Sequence, residues 1–204
     1  MKLFLLSSLQ TTGATIAEKL RLDGLSGRVL FLTTASEGEE GDISWLNEDR
    51  QPLVDAGLDV VDYTITNKSE EEIRSVLSEI GAICVAGGNT YYLLDQSRKT
   101  GFDKIIAEFV NKGLPYIGSS AGALIAGPTI QTTLDDSRVT PDLEDYTGFN
   151  LCSLSVRPHW GSEYFAERYK EEYLRLYNLK LPMILLSDND YVEVDENGFK
   201  IFST

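Results

Sequence analysis

Within the run LPYIGSSAGALIAGP at 114–128, Gly118, Ser120 and Gly122 have the Gly-x-Ser-x-Gly spacing of a nucleophile elbow. A serine on so sharp a turn takes unusual backbone angles, and glycines two residues to either side remove the Cβ atoms that close packing would displace. Ser119 has Ile117 and Ala121 at those offsets, which leaves Ser120 as the candidate nucleophile. The apolar residues before it and the small and aliphatic ones after it predict strand, turn and helix. The Ala121 N–H would then open the helix, where a backbone donor is unpaired and can hold a tetrahedral oxyanion.

A serine hydroxyl attacks only weakly until a base takes its proton, and histidine is the usual base near neutral pH. The chain has one histidine, His159, directly after the apolar stretch 154–158. An acid would orient the imidazole and stabilise its charged form. Asp188, following 183–186, and Asp135, in the polar segment 129–149, are both candidates, while Asp190 would face away if the strand continued. Gly87-Gly88-Asn89-Thr90 is a further cluster. Glycine at a strand end lets a backbone N–H approach a ligand, making Gly88 a candidate second oxyanion donor. Asn89 either caps the next helix or binds substrate, and Thr90 is the other candidate cap. No Lys-Ser or Lys-Thr follows these glycines, unlike a phosphate loop.

The elements that must carry these groups follow from periodicity. Apolar runs at 2–7, 28–34, 59–65, 82–86 and 115–118 predict strands, and 15–22, 44–56, 69–80, 90–98 and 102–111 predict helices. Ser69 and Glu72 have capping-box spacing at the start of the third helix. The β-then-α order implies a parallel sheet covered on both faces, with the ligand site at the carboxyl ends of its strands, where Gly88 and Ser120 fall. Further on come a strand at 154–158, a helix at 163–179, a strand at 183–186, and a hairpin pairing 191–194 with 199–202. The polar stretch 129–149 is longer than connections in compact domains usually are. One α/β domain over 1–204 is expected.

Lys and Arg total 18 against 32 Asp and Glu, a formal charge of -14. Such a surface repels nucleic-acid phosphates and anionic membranes, so neither is an expected partner, and it favours substrates with a free amino group. The apolar run 3–6 is too short for a signal-peptide core, and no apolar stretch has membrane length. Cys84 and Cys152 give neither a disulfide framework nor metal-ligand spacing. A cytoplasmic protein with no metal or organic cofactor is expected.

Jointly, Gly87-Gly88-Asn89-Thr90, Gly118-x-Ser120-Ala121-Gly122-Ala123, Pro128-Thr129-Ile130 with Thr132-Thr133 and Asp135, and Pro158-His159 resemble the peptidase E (aspartyl dipeptidase) family, serine peptidase family S51, which includes cyanophycinase. The resemblance covers nearly the whole chain in order. It implies a three-layer sandwich with a mostly parallel sheet, flavodoxin-like or class I glutamine-amidotransferase-like. It also implies a serine peptidase acting on short peptides, dipeptides beginning with Asp among them. Ser120 would be nucleophile, His159 base, Gly88 and Ala121 oxyanion donors, and Asp135 a supporting residue. The family's acid is typically a glutamate in a Pro-Glu-Gly turn; here Ser187-Asp188-Asn189 stands in its place, and the shorter Asp188 must come closer. The family's substrate-binding arginine falls at Glu167, with Arg168 beside it and Arg157 as another possible anion partner. A noncatalytic binding protein on the same scaffold and a hydrolase of another amide, such as a β-linked peptide, are the competing readings.

Overall fold

Strands that are apolar on both faces need cover on both sides. The computed structural model, which describes residues 1–25, 27–133 and 142–204, provides it as a three-layer α/β sandwich. In chain order the elements are β1 (Leu3–Leu6), α1 (Leu9–Leu22), β2 (Arg28–Leu32), α2 (Trp45–Asp55), β3 (Val60–Tyr63), α3 (Glu70–Ser78), β4 (Ile80–Val85), α4 (Thr90–Thr100), α5 (Phe102–Asn111), β5 (Tyr116–Ser119) and α6 (Ala121–Ala126). Then follow β6 (Ser155–Arg157), α7 (Ala166–Leu179), β7 (Met183–Leu185), β8 (Asp190–Asp195) and β9 (Gly198–Ser203).

The main sheet runs β3-β2-β4-β5-β1-β8-β9. Its first five strands are mutually parallel, and β8 and β9 extend it antiparallel. Because side chains alternate along a strand, each strand feeds two cores. Phe4, Leu6, Phe31, Cys84 and Ile117 pack with Ile16 and Leu20 of α1 and Leu53 of α2 on one face. On the other, Leu5, Leu32, Val85 and Tyr116 pack with residues of α3, α4, α5 and α6, among them Ile73, Leu94, Ile106 and Ile125. Among the described residues no helix is long and apolar enough to cross a membrane.

Several elements differ from their sequence signals. The first helix begins at Leu9, six residues ahead of the pattern at 15–22. The polar segment Gln10-Thr11-Thr12-Gly13 is helical because α2 packs on it: a Cβ at Gly13 would lie 2.9 Å from the Cβ of Pro52. A 3-10 turn at Thr34–Gly38, silent in the periodicity, follows β2. Asn89 rather than Thr90 caps α4, accepting from the Tyr92 N–H at 2.9 Å. The Ser69 and Glu72 capping box is formed. β6 and β7 pair with each other in a separate parallel sheet. Asp190 closes a turn by accepting from both the N–H and hydroxyl of Ser187.

The tightest packing is at the elbow. A Cβ at Gly118 would sit 2.4 Å from the Gly122 carbonyl oxygen, and one at Gly122 would sit 2.1 Å from that of Val85. The buried Tyr116 hydroxyl donates to the Gly122 carbonyl at 2.7 Å, fixing that backbone further. Gly118→Ala should therefore cost about 3 kcal/mol or more, the upper end of overpacking penalties. Gly24→Ala, at φ +80 with nothing within 4 Å, should cost only the roughly 1–2 kcal/mol of left-handed backbone. Urea denaturation of both variants checks the contrast.

Candidate active site

The carboxyl ends of β1 and β5 lie side by side, with Leu6 paired to Ser119, and the site grows from that edge. Ser120 has φ 50 and ψ −108, a costly conformation for a residue with a Cβ. It is held on both sides: its N–H donates to the Leu6 carbonyl at 3.1 Å, and its own carbonyl accepts from Ala123 and Leu124 at 3.0 Å each. Ser119 is used structurally, its hydroxyl accepting from the Leu9 N–H at 3.1 Å.

The structure brings His159 and Asp188 to this serine. The Ser120 Oγ lies 2.9 Å from His159 Nε2, and His159 Nδ1 lies 2.6 Å from Asp188 Oδ1. An ionised carboxylate can only accept, so Nδ1 carries the proton and Nε2 is left to accept from the serine hydroxyl. Asp188 reaches the ring despite its short side chain because its backbone is tied to α1: Thr11 Oγ1 donates to its carbonyl. Trp160 N–H donates to the Leu186 carbonyl at 2.8 Å, holding the ends of β6 and β7 together. His159 itself has φ +61, a turn that aims the ring back at the main sheet from a strand outside it.

Burial pushes the His159 pKa down from its usual value, and the nearby Arg157 and Arg168 charges act the same way, outweighing the raising effect of the Asp188 bond. The imidazole is accordingly neutral near pH 7. Two groups that the sequence did not signal support it. Phe165 stacks on the ring with centroids 4.5 Å apart and planes 14° from parallel. Ser7, fully buried at the end of β1, donates to Asp188 Oδ1 at 2.9 Å and accepts from the His159 N–H at 2.7 Å. Ser7 was within reach of the rule that functional groups gather at strand ends; Phe165 reads as one more apolar residue of the helix predicted over 163–179, and it stands just before α7 begins.

Ala121 N–H, first in α6, has no intrahelical acceptor. Gly88 has φ +124, and a Cβ there would meet the Ala35 carbonyl carbon at 2.5 Å, so only glycine fits. Gly88 lines the same cleft as Ser120, and Ala121 follows that serine directly. Asn89 lines the cleft, but its side chain is bound to the cap of α4 and, at 3.4 Å, to the Gly38 carbonyl.

The cleft over Ser120 is about 610 Å³, and Arg157 and Arg168 are part of its lining. Arg168 lines it, donating from Nη2 to Thr133 Oγ1 at 3.0 Å and from Nε to Glu172 Oε1 at 3.2 Å. Arg157 is 4% exposed and binds the other oxygen of Glu172, which is 1% exposed. Burial lowers the Arg157 pKa while Glu172 opposes the drop. One carboxylate is thus shared by two guanidiniums. Its place in that pair makes Arg157 a support of the wall as well as part of it, and Glu172 had no sequence signal. Glu167 points elsewhere: it is exposed and paired with Lys170. Arg168, one residue on, faces the cleft in its stead. Asp135 lies outside the described residues.

A family model described as Peptidase family S51 matches residues 3–202. An uncharacterized peptidase of Listeria monocytogenes is 37% identical over 141 residues, 68% of each chain. Peptidase E of Streptomyces coelicolor is 33% identical over 153 residues, 72% of this chain and 60% of that one. A crystal structure of a Listeria monocytogenes protein described as a peptidase E superposes with TM-score 0.86 at 28% identity, covering 100% of this chain and 98% of that one.

Ser7→Ala should destabilise the protein by about 1–3 kcal/mol, because it strips the buried His159 N–H of its acceptor. Chemical denaturation would measure it, and a loss below about 0.5 kcal/mol would show that water replaces the hydroxyl without strain.

Proposed function

The chain belongs to peptidase family S51, and from that premise we propose that it is a serine-type peptidase hydrolysing short peptides, dipeptides with a free amino terminus foremost. The observation that carries this reading is the hydrogen-bonded series Ser120 Oγ, His159 Nε2, His159 Nδ1, Asp188 Oδ1, with spacings of 2.9 and 2.6 Å at its two links. Ser120 Oγ attacks the scissile carbonyl while His159 Nε2 takes its proton. The N–H groups of Ala121 and Gly88 receive the oxyanion. His159 then protonates the leaving amine, the C–N bond breaks, and an ester on Ser120 remains. Water, deprotonated by His159, attacks that ester and releases the acid. Asp188 keeps the ring in the productive tautomer throughout.

The presence of Arg168 in the cleft lining supports an acidic first residue as its partner. The two buried cysteines, both free, support a reducing compartment, the cytoplasm. Short peptides are the proposed substrate class, with neither nucleic acid nor membrane as partner.

Ser120→Ala should reduce kcat by at least about 10⁴-fold and Asp188→Asn by on the order of 10⁴-fold, read as amino-acid release from dipeptides beginning with acidic, neutral and basic residues. Arg168→Met should raise KM selectively for the acidic-first members. If the wild type cleaves none of the panel, the peptidase reading fails on these substrates.

The pH profile is a separate check. His159 serves as base only when neutral, so kcat/KM falls as pH drops through its folded pKa, which burial places below 6.5. At pH 6.5 the enzyme should retain more than half its plateau kcat/KM, and an acid limb centred above that would overturn the assignment of His159 as base.

A further inference from the structure

Another part of the cleft lining comes from α1 and α2, which pack on the Phe4 and Phe31 face of the sheet. Trp45 and Asp49 are one turn apart on α2, so they project from the same side of that helix, and both line the cleft together with Gln10 and Ser8 from the start of α1. Trp45 approaches the nucleophile closely: a Cβ at Gly87 would lie 3.6 Å from its ring and 3.4 Å from the Cβ of Ser120. Asp49 is 7% exposed. Its side chain is hydrogen-bonded to Gln10, and among the described residues no Lys, Arg or His forms an ion pair with it.

A buried carboxylate without a cation costs folding free energy that an apolar residue would avoid. Here burial lifts its pKa to about 6, Glu48 adding to the rise and Gln10 opposing it. The acid is still mainly ionised at neutral pH. Nothing in the proposed hydrolytic steps uses it. An aromatic face beside an uncompensated carboxylate is suited to an ammonium ion, which draws on the ring quadrupole and the negative charge together.

We propose that Trp45 and Asp49 form a subsite for a primary ammonium group of the peptide substrate, in the cleft that Arg168 also lines. The ammonium is either the free amino terminus or a lysine side chain in the second residue. The inference rests on the peptidase reading for the ligand being a peptide, but its test does not require turnover.

The test is calorimetric binding to the Ser120→Ala protein, using Asp-Leu, N-acetyl-Asp-Leu and Asp-Lys. A terminal ammonium in the subsite predicts that acetylation weakens binding roughly tenfold, and a lysine in it predicts that Asp-Lys binds roughly tenfold tighter than Asp-Leu. Whichever difference is found should collapse to within about twofold in Ser120→Ala/Asp49→Asn and shrink in Ser120→Ala/Trp45→Leu. Persistence of the difference in both double variants overturns the subsite, as does its absence from the Ser120→Ala protein or a failure of all three peptides to bind. Circular dichroism monitors folding; should Asp49→Asn not fold, Trp45→Leu, at a half-buried position, decides by itself. Wild-type protein that binds with this dependence on Asp49 yet cleaves nothing would refute the peptidase reading and leave the subsite standing.

Discussion

Everything at the site depends on how closely α6 approaches β4 and β5. The backbone at Gly122 lies against the Val85 carbonyl and that at Gly118 against the Gly122 carbonyl, at distances no Cβ could occupy. With the chain compressed on both sides, the residue between has little choice of backbone angles. Ser120 is held at φ 50, and its neighbours offset that strain with hydrogen bonds from both sides of the turn. The same compression exposes the serine hydroxyl at the strand edge and leaves the first N–H of α6 without an acceptor. The groups proposed as nucleophile and oxyanion donor are thus consequences of one packing constraint.

The histidine arrives by a different route. β6 and β7 are not part of the main sheet, and the turns that follow them are tied to it through Ser7 and Thr11 of the segment after β1. Ser7 bonds both the His159 backbone and the Asp188 carboxylate, so one hydroxyl sets the height of both residues over the elbow. This is also how an aspartate reaches the imidazole where the resembled family typically has a glutamate. The missing methylene is made up by drawing the 187–190 turn onto α1, with Asp190 closing that turn through Ser187.

Much of this was legible before any coordinates. The elbow glycines, the lone histidine and the strand-end positions of Gly88 and Asp188 have local signatures, and local signatures survive in sequence. The order of apolar runs likewise gave the parallel part of the sheet. What stayed hidden depends on contacts between distant segments. The first turn of α1 reads as polar loop until Pro52 packs on Gly13. Glu172 reads as one more charge on an acidic amphipathic helix until Arg157 and Arg168 close on it from two elements. Helix phase decided between Glu167 and Arg168, since a one-residue error in alignment rotates a side chain by about 100°.

Charge distribution then limits what the cleft can accept. The surface field of an acidic chain fades over about 8 Å at physiological ionic strength, so it can gather cationic peptides without orienting them. Orientation has to come from groups inside the cleft, where screening is weak. There Arg168 of α7 and Asp49 of α2 line one cleft, and among the described residues no Lys, Arg or His pairs with Asp49. If Asp49 takes an ammonium as proposed, a short peptide carrying both an ammonium and a carboxylate could engage Asp49 and Arg168 together in one direction only, which would fix which carbonyl lies over Ser120. Direction of binding, and with it the bond that is cut, would then follow from placing the two groups on different elements around the elbow.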